Sequence, residues 1–134
     1  MKMMNPYLNF TNNCREAMTF YKQCFGGELQ LMTFENSPMD VPPAAKNNIL
    51  HATLKTGPLV LMASDCMPGQ PLNVGNNISL SVDCETTAEQ DKLFKVLGEK
   101  GQVMMPLQDM FWGARFGMLK DQFGINWMLN CDKR

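Results

Sequence analysis

The chain of 134 residues and 15.1 kDa is long enough for one compact domain and too short for two of typical size. Its 12 lysine and arginine residues are balanced by 13 aspartate and glutamate residues, which excludes the broad basic surface that nucleic-acid-binding or membrane-surface proteins use. No apolar run approaches the roughly 20 residues that span a bilayer, and the first residues lack the pattern of a signal peptide. We therefore expect a cytoplasmic protein with neither nucleic acid nor membrane among its partners.

The first half of the chain predicts a βαβββ module. Leu8 and Phe10 alternate with polar residues in an opening strand over residues 5–10. A helix follows, with a capping box predicted from Asn13 and Glu16 and an apolar stripe that stops at two glycines. Three further strands are predicted over residues 28–34, 48–55 and 58–64.

The second half repeats this order of elements. Its opening strand over residues 77–82 alternates like the first one. Thr86 and Glu89 repeat the capping box, and Gly98 and Gly101 follow the apolar stripe of the second helix. Further strands are predicted over residues 102–105, 112–119 and 125–130.

The repeat predicts a single domain, residues 1–134, made of two tandem modules. Module one spans about residues 4–65 and module two about residues 77–131. Residues 66–76, which are rich in proline and glycine, form the predicted linker.

Alternation along the strands assigns their side chains to two faces of each sheet. The face covered by the helix is predicted to hold Leu8, Phe10, Val60, Trp127 and Leu129. The uncovered face is predicted to hold Asn5, Tyr7, Asn9, Leu61, Asn126, Met128 and Asn130. We expect the uncovered faces of both modules to curve around one shared cavity, which is the candidate small-molecule site.

Cysteine and histidine content limits the possible chemistry. Five cysteines without a C-x-x-C pair argue against a disulfide framework and a zinc site. We expect reduced thiols, with Cys14 and Cys24 buried and the role of Cys66 open. The sequence has one histidine, His51, so histidine-dependent catalysis would have to use it. No glycine-rich phosphate-binding motif is present.

The doubled pattern resembles the vicinal oxygen chelate superfamily, which includes glyoxalase I, extradiol dioxygenases and the bleomycin-resistance proteins. The order and spacing of several short segments are similar to its PhnB-like group. These segments are residues 5–10, Phe25-Gly26-Gly27, His51-Ala52, Phe111-Trp112, Phe116-Gly117 and residues 121–128. The resemblance implies an α+β glyoxalase-like fold, with two βαβββ modules forming a curved mixed sheet around a shared cavity, and a homodimer.

The resemblance also predicts where a metal would bind. In metal-using members the ligands, mainly histidine and glutamate, come from the first and last strands of each module. The equivalent positions here are Asn5, Leu61, Asn77 and Met128. Two carboxamides with a leucine and a methionine form a very poor set of ligands, and a one-residue change of register yields no better one. We therefore expect no metal and no other cofactor.

His51 is the candidate catalytic residue, if the chain has one. Alternation places its side chain away from Leu50, Ala52 and Leu54, where it could act as a general base or hydrogen-bond donor. A structural histidine bonded to a backbone carbonyl is the alternative. Asp65 and Asp121 are expected to close turns rather than take part in chemistry.

Seven residues are the predicted ligand-binding set: Tyr7, Asn9, His51, Phe111, Trp112, Arg115 and Met128. Phe111, Trp112 and Arg115 could stack on a planar ligand and pair with its carboxylate. Structural packing of the two aromatic rings is the alternative.

Two classes of function therefore compete. The first is a metal-free protein that binds a small, partly aromatic molecule. The second is an enzyme of the superfamily, a lyase, isomerase or dioxygenase, that depends on a metal or on His51. Some PhnB-like sequences carry a methyltransferase label, but this sequence lacks a glycine-rich loop for S-adenosylmethionine.

Overall fold

The computed structural model describes residues 1–133 and forms two compact units. The unit of residues 1–73 contains β1 (Tyr7–Phe10), α1 (Cys14–Phe25), β2 (Glu28–Thr33), a 3₁₀ helix (Pro43–Ala45), β3 (Ile49–Thr56) and β4 (Leu59–Asp65). The unit from residue 74 onward contains β5 (Leu80–Asp83), α2 (Thr87–Gly98), β6 (Gln102–Asp109), β7 (Ala114–Lys120) and β8 (Asn126–Asp132). The predicted α+β fold of two tandem βαβββ modules is confirmed. Within residues 1–133, no helix is both long and apolar enough to cross a membrane.

The first unit has a mixed sheet with the strand order β1-β4-β3-β2. β1 runs parallel to β4, whereas β3 is antiparallel to both β4 and β2. α1 packs against β2, β3 and β4 on one face. The core beneath it contains Phe10, Ala17, Met18, Tyr21, Leu54, Leu61 and Ala63, all buried.

The side chains of β4 point the opposite way from the sequence prediction. Leu61 pairs with Leu54 and is fully buried, so the prediction that it lies on the uncovered face is wrong. Val60, which was predicted to face the helix, pairs with Lys55 on the other side. Because consecutive residues of β4 are apolar, alternation carried no signal for the register of this strand.

α1 begins without the predicted capping box, because the side chain of Asn13 makes no capping hydrogen bond. Asp65 at the end of β4 caps the helix instead. Its Oδ1 accepts a hydrogen bond from the backbone N–H of Cys14 at 3.0 Å, and its Oδ2 accepts one from Ile49 at 2.8 Å. The buried carboxylate thus satisfies one of the helix's first N–H groups and ties α1 to β3.

The second unit repeats the topology, with the strand order β5-β8-β7-β6 and β5 parallel to β8. Trp127 is 2% exposed, which confirms its predicted place in the core, and its Nε1 donates to Asp121 Oδ2 at 2.8 Å. The predicted cap of α2 is also confirmed, because Thr86 Oγ1 accepts from the backbone N–H of Glu89 at 3.1 Å.

The strands of the second unit have boundaries that differ by a few residues from those predicted, and β5 and β6 differ most. β5 begins at Leu80, so Asn77 precedes the strand rather than opening it. β6 continues through Pro106 to Asp109, whereas the sequence predicted an end at Met105. β6 lies at the sheet edge, where a residue without an N–H is tolerated.

Each unit also has a glycine between its helix and the strand that follows. A Cβ atom added to Gly27 would lie 2.3 Å from the carbonyl oxygen of Lys55, and one added to Gly101 would lie 2.3 Å from that of Lys120. Only glycine fits so close to a neighbouring backbone. The two units therefore share a steric requirement as well as a topology.

Candidate functional site

The face of the first sheet that α1 leaves uncovered carries three of the predicted ligand-binding residues. We call it the unit-one face; it is formed by Tyr7, Asn9, His51, Thr53, Met62 and Ser64. The strand register places these residues together, because Tyr7 pairs with Met62, Asn9 pairs with Ser64, and Thr53 also pairs with Met62. The face is therefore a mixed surface of hydroxyl, amide, imidazole and thioether groups.

Hydrogen bonds link three side chains of the unit-one face. The hydroxyl of Tyr7 lies 3.3 Å from Nδ1 of His51, and the two rings are 5.9 Å apart. Nε2 of His51 lies 3.1 Å from Oγ1 of Thr53. Since β4 lies between β1 and β3 in the sheet, the Tyr7 side chain reaches across the middle strand to meet His51.

The surroundings of His51 contradict one of the two interpretations of the sequence, that of a structural histidine bonded to a backbone carbonyl. Its two ring nitrogens contact side-chain hydroxyls, not a backbone carbonyl. A hydroxyl can donate or accept a hydrogen bond, so Tyr7 and Thr53 can support either neutral tautomer of the ring. The geometry orients the imidazole, and whether it moves a proton stays a prediction.

The uncovered face of the second sheet has a different character. We call it the unit-two face; it is formed by Ser81, Phe116, Met118, Met128 and Asn130. Met128 pairs with both Ser81 and Met118, and Phe116 pairs with Asn130. Asn130 Nδ2 lies 3.4 Å from an oxygen of Asp83 and 3.2 Å from an oxygen of Asp132. This face is thus apolar at its centre, with a polar group of one amide and two carboxylates beside it.

The predicted aromatic and cationic group is not brought together as one cluster. Phe111 and Trp112 are 96% and 52% exposed. Their rings form an edge-to-face pair with centroids 5.1 Å apart. The ring of Trp112 also packs edge-to-face against that of Phe116 on the unit-two face, with centroids 5.9 Å apart. Arg115 is held by α2, because it forms a 2.8 Å ion pair with Asp91 and donates to Gln90 Oε1 at 3.3 Å.

Gln90 is one of the two α2 residues that hold the Arg115 side chain. This glutamine is fully buried, and its Nε2 donates to the carbonyl oxygens of Arg115 and Leu129 at 2.8 and 3.1 Å. It therefore bridges two strands from the helix and leaves Oε1 for the guanidinium. A role for Arg115 in ligand binding stays a prediction.

Several residues of the two faces were missed by the sequence analysis, namely Thr53, Met62, Ser64, Phe116 and Met118. Thr53 had a usable signal, because it lies two residues after His51 on the same strand and so faces the same way. Met62 and Ser64 were missed because the register of β4 was inverted.

Burial alters the acidity of the Cys14 and Cys84 thiols. Burial, with a smaller contribution from the carboxylate of Asp65, raises the pKa of Cys14 to about 12. Burial, with contributions from Glu89 and Cys131, raises the pKa of Cys84 to about 11. All five cysteines are free thiols, as expected. Cys14 is buried as predicted, whereas the prediction that Cys24 is buried is wrong, because it is only half-buried, as is Cys66.

Residues 2–130 match the family described as 3-demethylubiquinone-9 3-methyltransferase. The chain belongs to this family. It is 30% identical to the protein YjdN of Escherichia coli K12, over 98% of this chain and 96% of the relative.

Solved structures agree with this assignment. Protein PA1353 from Pseudomonas aeruginosa is 42% identical, with full coverage of both chains and a TM-score of 0.91. The Bacillus cereus PhnB protein, titled a putative 3-demethylubiquinone-9 3-methyltransferase, is 28% identical over 97% of this chain and 99% of that one, with a TM-score of 0.78. The PhnB-like resemblance is thereby confirmed.

The fold also extends to a wider superfamily. A glyoxalase/bleomycin resistance protein/dioxygenase family enzyme from Burkholderia phytofirmans has a TM-score of 0.60 at 18% identity, covering 93% of this chain and 95% of that one. At this identity the likeness concerns the fold alone.

The family name implies S-adenosylmethionine, and the residues do not fit a cradle for it. The turns that lead from β1 into α1 and from β5 into α2 contain no glycine, whereas close approach of backbone to such a cofactor needs one. One N–H group in the first turn of each helix is also engaged, by Asp65 in α1 and by Thr86 in α2.

The positions that the resemblance assigns to metal ligands do not fit a cation either. Leu61 is buried under α1 and Asn77 lies before β5, while Asn5 directs its amide toward the sulfur of Met62 at 4.0 Å. Met128 offers only a weak thioether acceptor. Among residues 1–133, no three histidine, cysteine, aspartate or glutamate side chains form a group that could hold a metal.

Proposed function

We propose that the protein binds a small, partly aromatic organic molecule against the uncovered faces of its sheets, without a catalytic metal. The observation that carries this proposal is the hydrogen-bonded set of Tyr7, His51 and Thr53 on the unit-one face. These groups can donate to and accept from a ligand, but one imidazole and two hydroxyls are a poor set for a divalent cation.

The unit-two face supports the aromatic part of the proposal. Met118, Met128 and Phe116 supply polarisable thioethers and one ring, which suit a planar apolar body. Trp112, in contact with Phe116, extends this surface. Enclosure of both faces in a single cavity stays a prediction.

The test is a native mass spectrum of the full chain, purified without chelators or metal-affinity tags. We expect a retained small molecule in the wild type and its loss when Tyr7→Phe and His51→Ala are combined. Thr53→Val should weaken retention, whereas Thr56→Val, the same change at the far end of β3, should not. Retention that is unaffected by these changes would place the ligand elsewhere.

Metal analysis tests the second part of the proposal. The protein is incubated with Mn²⁺, Fe²⁺, Ni²⁺ or Zn²⁺, desalted, and measured by elemental analysis. We expect no tightly held equivalent. One equivalent per chain that survives desalting would favour a metal-dependent lyase, isomerase or dioxygenase instead.

The contact between Tyr7 and His51 favours a second candidate, a metal-free enzyme that uses His51 as acid and base. The phenol would orient the ring while the imidazole takes a proton from a bound substrate. Incubating the protein with its retained molecule in D₂O tests this idea. Incorporation of deuterium at a carbon of the molecule by the wild type, but not by His51→Ala, would support catalysis. If neither protein incorporates deuterium, binding remains the function.

We also propose a homodimer, as the resemblance to the superfamily implies. The same native mass spectra report the number of chains in the assembly. A single chain at micromolar concentration would contradict this part of the proposal.

A further inference from the structure

The first unit contains a recess at the carboxyl ends of β1 and β4 that is separate from the unit-one face. Its volume is about 530 Å³, which lies in the range of small-molecule pockets. Thr11 and Asn12, which follow β1, form one side, and Cys66 and Met67, which follow β4, form another. We call it the carboxyl-end recess.

The described residues that line the recess carry no formal charge. Its apolar walls are formed by Pro42, Ala44, Ala45, Met67 and Pro68. The polar residues of its lining are Thr11, Asn12, Asn48, Cys66 and Gln70. A charged ligand would lose hydration here without gaining an opposite charge, so the lining favours a neutral molecule.

Two of the amides form a pair. Asn48 Nδ2 donates to Asn12 Oδ1 at 2.7 Å. Within residues 1–133, this bond leaves Nδ2 of Asn12 as a donor and Oδ1 of Asn48 as an acceptor. A donor and an acceptor on two hydrogen-bonded side chains can together pair with a carboxamide, lactam or urea, which presents one acceptor and one donor along a single edge.

The local backbone fixes this pair. Asn12 has a φ of 65°, a conformation that asparagine tolerates better than most residues. The backbone of Asn48 donates to Ala45 and accepts from Phe34, both at 3.1 Å. Phe34 and Ala45 belong to a buried cluster against which Met67 packs, so the apolar floor of the recess is part of the core.

We propose that the carboxyl-end recess binds a small neutral molecule that has a carboxamide-type edge and a flat apolar body. The edge pairs with Asn12 and Asn48, and the body lies against the proline rings and Met67. A carboxylate would leave the oxygen of Asn48 without a donor, and an amidinium would leave the amino group of Asn12 without an acceptor. Both should therefore be rejected.

The test uses three molecules of one shape and different charge: benzamide, benzoate and benzamidine. Each is titrated into the ¹⁵N-labelled full chain, and the signals of the Asn12 and Asn48 side chains and of residues 66–70 are followed. We expect benzamide to shift these signals saturably, with a Kd in the millimolar range, and the two ions to shift them at least tenfold more weakly. Equal responses to all three, or no saturable response to benzamide, would overturn the proposal.

Two glycine variants separate recognition from folding. Asn12→Gly removes the amide but suits the positive φ, so the chain should fold and its Kd for benzamide should rise at least tenfold. Lys100 has a similar φ of 61° in the second unit, and Lys100→Gly should leave the Kd unchanged. Unaltered binding by Asn12→Gly would remove the amide pair from the recognition and contradict the proposal.

A filling variant tests the location. Ala44 is exposed at the mouth of the recess, so Ala44→Trp should block benzamide without disturbing the core. Binding that survives this change would contradict the proposed site.

Discussion

Asp65 accepts a 3.0 Å hydrogen bond from the backbone N–H of Cys14, a residue 51 positions earlier in the sequence. The same carboxylate also accepts from Ile49 and is 4% exposed. One side chain at the end of β4 therefore binds the first residue of α1 and the first residue of β3.

Replacing Asp65 with alanine should lower the free energy of unfolding by about 2 to 4 kcal/mol, since two backbone N–H groups would lose their acceptor. Asp65→Asn retains one acceptor oxygen and should cost less. Urea denaturation measures both. Asp40→Ala, which removes an exposed carboxylate, is the control, and a similar loss in that variant would mean that charge rather than capping is responsible.

The two predicted capping residues should respond differently to truncation. Thr86→Ala removes the acceptor for Glu89 and should destabilise the protein by about 1 kcal/mol. Asn13→Ala removes a side chain that makes no capping bond and should change stability by less than about 0.5 kcal/mol. Thermal unfolding of the pair checks this difference, and equal losses would contradict the assigned caps.

The raised pKa of Cys14 predicts a loss of stability in alkali. Below pH 9.0, its ordinary value, the thiol is protonated in both the folded and the unfolded chain. Between pH 9.0 and about 12 the unfolded chain loses this proton while the folded chain keeps it, so stability falls as the pH rises.

Cys14→Ala isolates this contribution. The free energy of unfolding of this variant should fall with pH less steeply than that of the wild type. The two slopes should differ by up to about 1.4 kcal/mol per pH unit. Urea denaturation at intervals between pH 8 and 11 gives both slopes. Cys24→Ala is the control, and parallel slopes for wild type and Cys14→Ala would refute the prediction.

Substitution of the two tryptophans should lower stability to different extents, because Trp127 is buried and Trp112 is half-exposed. Trp127→Ala empties a buried site and removes the bond to Asp121, which should cost about 3 to 5 kcal/mol. Trp112→Ala, at a half-exposed ring, should cost less than about 1 kcal/mol. Fluorescence checks the environments: emission from Trp127 alone should be blue-shifted relative to emission from Trp112 alone.

The sequence predicted the elements of the fold better than their finer contacts. Periodicity and the internal repeat identified both βαβββ modules, and the local capping pattern of Thr86 was correct because its partner is three residues away. The cap of α1 was not predictable in this way, because its acceptor, Asp65, comes from a distant strand. The prediction for Leu61 failed for a different reason. Because β4 is apolar on both faces, alternation did not indicate which of its residues lie under the helix.

The candidate site shows the same division. Alternation placed Tyr7 and His51 on one face, where the structure brings them into contact. Arg115 was grouped with Phe111 and Trp112 from proximity in the sequence alone. Its ion pair with Asp91 depends on how α2 crosses β7, which no local pattern reports.

The edge strands of the two sheets limit what can add to them. β1 and β5 each contain four residues, and β6, the far edge of the second sheet, includes Pro106. A foreign β-strand would find few consecutive backbone partners along β1 or β5, and along β6 it would meet a residue that has no N–H to donate. Among the four sheet edges that residues 1–133 form, these three should resist the addition of a foreign strand, which is a route to aggregation.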